Sequence, residues 1–82
     1  MRLVWVPRNI EKVEAHGVTP AEVEAIFDAP DWDTAPSDMP YRTIGEGTTP
    51  EGRLLRVIFA ETEEGPFPIT AFPIRPQQRR TP

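Results

Sequence analysis

Cysteine is absent from the 82-residue chain, and histidine occurs once, at His16. The lack of cysteine excludes disulfides, thiolate metal sites and cysteine nucleophiles, so stability must come from packing. A single histidine excludes a pair of histidines acting as acid and base. No apolar run approaches the ~20 residues of a membrane-spanning helix, and residues 1–12 lack the apolar stretch of a signal peptide. We therefore expect a cytoplasmic protein with no membrane partner.

Basic charge is scarce as well. Nine Lys and Arg stand against thirteen Asp and Glu, which gives a net charge of −4 and argues against a general nucleic-acid binder. The acid is concentrated in residues 21–52, with one basic and eight acidic side chains, whereas residues 1–20 and 53–82 each carry a small positive excess. Either end of the chain can therefore present a local basic surface.

The length allows one small domain, and the hydrophobic fraction of 38% is typical of a folded one. Residues 3–6 form a short apolar run that predicts a first strand, ended by Pro7. Residues 8–16 predict a helix that ends at Gly17. Thr19, Pro20 and Glu22 then form a capping box, which predicts a second helix that Pro30 stops.

The second half of the chain predicts strands. Residues 31–40 are interpreted as a loop, residues 46–52 as a glycine-rich hairpin loop and residues 75–82 as a frayed basic tail. The strands lie between them, at 41–45, 53–61 and 67–72. The prediction is an α+β domain over residues 1–74, with two N-terminal helices packed on an antiparallel sheet and the order β-α-α-β-β-β. Pro68, which cannot donate to a ladder, indicates an edge or bulged strand.

The alternation in the last two strands defines a core face and an open face. The expected core residues are Leu55, Val57 and Phe59 with Phe67, Ile69 and Ala71. Leu54, Ile58 and Phe72 would then lie on the opposite face, which no remaining segment covers. An exposed apolar face of this kind indicates an interface, such as one with a partner protein or a second copy of the chain.

Two groups of cations are candidates for binding phosphate. Arg8, Lys12 and His16 are spaced i, i+4, i+8 and share one face of the first helix. The second group comprises the arginines beside the predicted sheet, Arg42, Arg53, Arg56 and Arg75. Guanidinium groups can cradle a phosphate and stabilise its transition-state charge. From spacing alone, a solvated basic face and cross-strand ion pairs are the simpler explanation of these residues.

Metal and cofactor sites have little support in the sequence. The aspartates between the second helix and residue 40 lack the spacing of a cation-binding loop. The glycines of residues 45–52 follow a strand without opening a helix, so they do not form a nucleotide-binding loop. We therefore expect neither a metal nor a cofactor, and a small-molecule or metal-binding domain is the weakest of the hypotheses.

Several tracts, taken together, are similar to the BrnT family of bacterial toxins. They are W-V-P-R-N-I-E-K-V-E-A-H-G-V-T-P-A-E-V-E-A-I-F-D-A-P, Y-R-T-I-G-E-G-T, G-R-L-L-R-V-I-F and I-T-A, within residues 3–72. The resemblance implies a RelE-like fold and a metal-independent endoribonuclease that cleaves mRNA and arrests translation. It also implies an antitoxin protein as partner.

By matching position, the resemblance implies that Lys12, His16, Arg42 and Arg53 are the catalytic residues. Lys12 and Arg53 would hold phosphate charge, His16 would transfer a proton, and Arg42 would stabilise the transition state. The chain departs from the family pattern after Ala71, where Phe72, Pro73 and Pro76 stand in place of an arginine and a short terminal helix. The alternative hypothesis is a non-catalytic protein-binding module, a degenerate toxin or dimerisation domain, on the same scaffold.

Overall fold

Two helices precede a four-stranded sheet in a computed structural model that describes residues 2–80. The helices are α1 (Pro7–Ala15) and α2 (Pro20–Phe27), and the strands are β1 (Asp33–Pro36), β2 (Thr43–Thr48), β3 (Leu54–Thr62) and β4 (Gly65–Pro73). All strand pairs are antiparallel, in the order β1-β2-β3-β4. The predicted class, α+β with two helices and an antiparallel sheet, is confirmed. Within the described residues, no helix has the length and apolar character needed to cross a membrane.

The predicted order of elements is wrong at the first strand. Residues 3–6 are not part of the sheet, although the Val4 N–H donates to the Pro66 carbonyl at 2.9 Å. Pro7 begins α1 at the first helical position, so the chain turns into the helix before a ladder can form. The fourth strand is instead β1, inside the segment predicted to be a loop, and the order is α-α-β-β-β-β.

The start of α2 agrees with the prediction from its capping box. The Glu22 N–H donates to Thr19 Oγ1 at 3.1 Å, and the Thr19 N–H donates to Glu22 Oε1 at 3.0 Å. Pro20 occupies the first turn, where its missing N–H costs nothing. Val23, Ile26 and Phe27 are buried against the sheet, as their spacing predicts.

Strand β2 runs three residues past its predicted end at residue 45, so Gly47, interpreted as a turn residue, lies inside the strand beside Gly45. A Cβ on Gly45 would overlap the ring of Trp32, and one on Gly47 would lie 2.9 Å from the Ile26 carbonyl oxygen. Glycine in a strand often marks such a close approach. The hairpin turn itself is shorter, and Gly52 supplies its positive φ of 91°.

The core face of β3 is as predicted, with Leu55, Val57 and Phe59 buried. In β4 the prediction fails for two residues of three. Ala71 is buried, but Phe67 and Ile69 are half-buried, and Pro66 and Pro68 take the inward positions. The cause is a register shift between Ile58 and Phe59, which inverts the alternation. Pro68 therefore lies in an edge strand with a bulge, which confirms the expectation from its missing N–H.

The C-terminal segment is not frayed over its described part. A 3-10 turn at Pro76–Gln78 follows β4, and Arg79 and Arg80 form ion pairs with acidic residues of the sheet region. These contacts need the segment to lie against the open face, so that face is not left without cover. The last two residues of the predicted tail, 81 and 82, lie outside the described residues.

Candidate functional site

A cleft of about 300 Å³ brings cations from two distant parts of the chain together. Arg8 and Lys12 come from α1, and Arg42 comes from the residue just before β2. Phe67 and Ile69 of β4 and the side chain of Asn9 complete the lining. Among the described residues, the lining contains no carboxylate, so three positive charges share one concave surface of an acidic protein.

Helix α1 presents Arg8 and Lys12 to the cleft because they are four residues apart, one turn along the same face. Asn9 fixes the helix in this position. Its side chain accepts from the Val6 N–H at 2.8 Å and donates to the carbonyls of Val4, at 3.0 Å, and Pro68, at 2.8 Å. A buried amide satisfied on both sides holds the start of α1 against β4.

The apolar floor of the cleft is a consequence of the bulge in β4. Ile58 is paired with Thr70 and Phe59 with Pro68, so Ile69 is the extra residue. With the alternation shifted, Phe67 and Ile69 line the cleft instead of joining the core. Apolar walls lower the local dielectric, which strengthens the field of the three cations toward an anion.

His16 extends the same face of α1 by one further turn but does not line the cleft. It is exposed at the helix C-cap, and its ring lies 6.0 Å from the ring of Phe72, between centroids. Phe72 stands where the family pattern expects an arginine, so this position supplies an aromatic contact in place of a cation. His16 therefore lies at the end of the row of cations on α1, outside the cleft.

Arg53 lies elsewhere. Its guanidinium Nη1 donates to both oxygens of Glu22, at 3.0 and 2.8 Å, and to the Gly17 carbonyl at 3.2 Å. The hydrogen bond from the Thr19 backbone, and after it the pairing with Arg53, lower the pKa of Glu22. Arg53 thus ties the β2–β3 hairpin to the start of α2, and its charge is neutralised there.

Arg56 is also engaged in a structural contact, beneath the C-terminal segment. Its Nε donates at 2.7 Å to Glu46, whose side chain has no exposed surface. Arg80 adds a backbone N–H to the other Glu46 oxygen at 3.1 Å. The arginines at 79 and 80 approach the same carboxylate to 3.8 Å. Of the described arginines near the sheet, Arg42 is the one that lines the cationic cleft.

The aspartates of residues 28–38 do not converge. Across the described residues there is no group of three or more His, Asp or Glu side chains placed to hold a metal ion. Asp31 instead accepts from Thr48 Oγ1 at 2.6 Å and from Arg79 Nη1 at 2.8 Å. The Thr48 hydroxyl, more than Arg79, holds the pKa of Asp31 well below its usual range.

Sequence reasoning missed two features near the cleft. The first is the role of Arg8, which it noted on the helix face but did not carry into the candidate site. The second is the conformation of Tyr41: the sequence suggested that this ring packs in the core, with base stacking as the alternative, but Tyr41 is 95% exposed and has a positive φ of 65°. The adjacent cations gave a signal for Arg8, because it precedes Lys12 by one turn. For Tyr41, the preceding Pro40 indicated only a turn.

Comparison with known proteins gives no second view of this site. The toxin activity, the RelE-like identity and the antitoxin partner accordingly stay predictions from the sequence tracts of residues 3–72. The chain matches no protein-family model, no curated protein and no solved structure.

Proposed function

We propose that the chain is an endoribonuclease that binds single-stranded mRNA through the cleft of Arg8, Lys12 and Arg42 and inhibits translation. One observation carries the proposal: three cations from separate elements converge on one cleft without a carboxylate in its described lining. Such a site favours a polyanion, and guanidinium groups match phosphate oxygens in pairs. The likeness of the sequence tracts to a toxin family supports the same function independently.

The chemistry that this site supports is transesterification at phosphorus. The 2′-oxygen of a ribose attacks the adjacent phosphorus and loses its proton, while the bond from phosphorus to the 5′-oxygen breaks and that oxygen gains a proton. Arg8, Lys12 and Arg42 hold the non-bridging oxygens and stabilise the extra negative charge of the phosphorane. His16, one turn beyond Lys12 and outside the cleft lining, exchanges one of the two protons, and a Lys or Arg of the cleft must serve for the other. Holding the phosphate and the ribose in the reactive geometry supplies the remaining rate enhancement.

Arg53 has no part in this proposal, because its ion pair with Glu22 already occupies its guanidinium group. The resemblance implied that Arg53 binds phosphate. In the arrangement described above, Arg8 takes that place, since it lines the same cleft as Lys12 and Arg42. The proposal retains a RelE-like scaffold, a cytoplasmic location and an antitoxin protein that neutralises the activity.

The alternative, a non-catalytic module that forms a homodimer through the open sheet face, has weaker support. Gln78, Arg79 and Arg80 lie on that face and contact Arg56 and Glu46. The segment therefore reduces the apolar area that a second copy could bury. A stable dimer in sedimentation velocity, combined with no effect on RNA, would favour this alternative.

The test combines a cellular and a purified assay. We expect induction of the chain in bacteria to stop incorporation of labelled amino acids, and the purified protein to cleave single-stranded RNA in EDTA. Lys12→Ala and Arg42→Ala should each lower the cleavage rate about 100-fold, as loss of one transition-state donor does.

Arg75→Ala is the matched control, because it removes one exposed positive charge outside the cleft. It should retain full activity, and circular dichroism should show that all variants are folded. If the native chain leaves protein synthesis and RNA intact, the proposal fails. Equal losses in Arg75→Ala and Arg42→Ala would show that overall charge, and not the cleft, is responsible.

A further inference from the structure

A second cleft, of about 520 Å³, adjoins the cationic cleft and shares Arg42 with it. Its lining includes Tyr41, Thr34, Thr43 and Glu61. The two clefts differ in charge. The first has three cations, whereas the second pairs one arginine with the Glu61 carboxylate, which would repel a phosphate.

Tyr41 is in a conformation that folding alone does not favour. Its φ of 65° places a bulky residue in the left-handed region, which is strained for residues other than glycine, asparagine and aspartate. The residue is 95% exposed, so it buries almost no apolar surface in return. Strained residues of this kind cluster at binding sites, where the ligand uses the geometry.

We propose that this second cleft binds an unpaired RNA base, stacked on Tyr41, next to the phosphate held by the cationic cleft. The inference rests on the proposed function and identifies how its substrate is recognised. Base and phosphate are joined in one nucleotide, and Arg42 lines both clefts, so adjoining sites of opposite preference suit a single-stranded chain. A flat exposed ring is what base stacking needs.

Glu61 adds a preference among bases. A carboxylate accepts hydrogen bonds but donates none, so it favours bases with an exocyclic amino group, which adenine, cytosine and guanine have; uracil lacks one and offers only its ring N3–H. The hydroxyls of Thr34 and Thr43, on the neighbouring strands, can donate as well as accept. The cleft should therefore bind adenine or cytosine more tightly than uracil.

The test measures binding without cleavage. Fluorescence anisotropy would follow octamers of 2′-O-methyl adenosine, cytidine and uridine, which lack the attacking hydroxyl. We expect the native chain to bind the first two more tightly than the third. Tyr41→Asn should weaken binding about 10-fold, within the range for loss of one stacked base, whereas Tyr41→Phe keeps the ring and the affinity. Glu61→Gln should reduce the preference over uridine.

Asparagine is chosen because it tolerates a positive φ and has no ring. The midpoint of thermal unfolding should therefore stay the same or rise in Tyr41→Asn while affinity falls, which a structural role would not produce. Unchanged affinity in Tyr41→Asn, with binding still lost in Lys12→Ala, overturns this inference alone. If the native chain binds none of the octamers, the proposed function fails with it. A native dimer that Tyr41→Asn dissociates, at unchanged RNA affinity, would assign the ring to a protein interface instead.

Discussion

At the scale of single residues, the acidic side chains differ mainly in which groups donate to them. Asp31 accepts from the Thr48 hydroxyl and backbone N–H and from Arg79, whose Nη2 also donates to the Asp31 carbonyl. These donors stabilise the ionised carboxylate, so the pKa of Asp31 is lowered in the folded chain. Because the same carboxyl titrates at about 3.9 in an unfolded chain, its protonation is linked to unfolding.

The consequence is a loss of stability in acid. A carboxyl with a lowered folded pKa stabilises the fold above its unfolded pKa, and this contribution disappears as the pH falls toward the folded value. We expect urea unfolding of the native chain to need less urea at about pH 2.5 than at about pH 6. Asp31→Asn should be less stable than the native chain at the higher pH and lose less between the two. The control is Asp38→Asn, which changes an exposed aspartate. If Asp31→Asn loses as much stability between the two pH values as the native chain does, Asp31 is not the group responsible.

At the scale of elements, β2 is shaped by what packs on it. Trp32 packs on Phe27, with ring centroids 4.3 Å apart, and on Phe59, at 6.0 Å. This aromatic group leaves no room for a side chain at position 45. Gly45 is therefore required by the close approach of a ring, and not by a turn.

Gly45→Ala should lower the free energy of unfolding by about 1–3 kcal/mol, the usual cost of overpacking a well-packed site. Trp32→Phe in the same chain should recover part of that loss, because the smaller ring leaves space for the methyl group. Chemical denaturation of the two single variants and the double variant would measure this. Fully additive losses would mean that the ring and position 45 do not compete for space.

The elements also show where sequence patterns are informative. The capped start of α2 and the inward row of β3 depend on neighbouring residues, so local spacing predicted them. The bulge at Ile69 and the strand Asp33–Pro36 depend on pairing with other strands, which no local pattern specifies. For the site, helical spacing placed Arg8 with Lys12, but it could not separate Arg42, in the cleft, from Arg53, whose partner Glu22 lies 31 residues away.

At the scale of the whole molecule, the two ends of the chain use their positive charges differently, and only the C-terminal end pairs with the acidic middle in the contacts described. The C-terminal arginines contact Asp31, Asp33 and Glu46, which belong to the acidic residues 21–52. The N-terminal cations Arg8 and Lys12 instead remain exposed beside Arg42. The basic C-terminal segment therefore stabilises the fold, and the cationic cleft is built from the rest.

The ion pairs of the C-terminal segment should be coupled to the buried Glu46. Changing Glu46 to Gln should cost about 3 kcal/mol, because it leaves Arg56 and the C-terminal arginines without their shared carboxylate. In a chain that already carries Arg79→Ala and Arg80→Ala, the same change should cost less, since two of the contacts that it removes are with those side chains. Urea denaturation of the four proteins gives the coupling energy, expected at about 0.5–3 kcal/mol for residues in contact.

The control is Arg75→Ala, an exposed arginine two residues after the end of β4. This variant should leave the cost of Glu46→Gln unchanged. If Glu46→Gln costs the same in all backgrounds, the side-chain charges of Arg79 and Arg80 do not hold the segment. Its backbone contacts would then hold it: the Arg80 N–H donates to Glu46, and the Gln78 carbonyl accepts from Arg56.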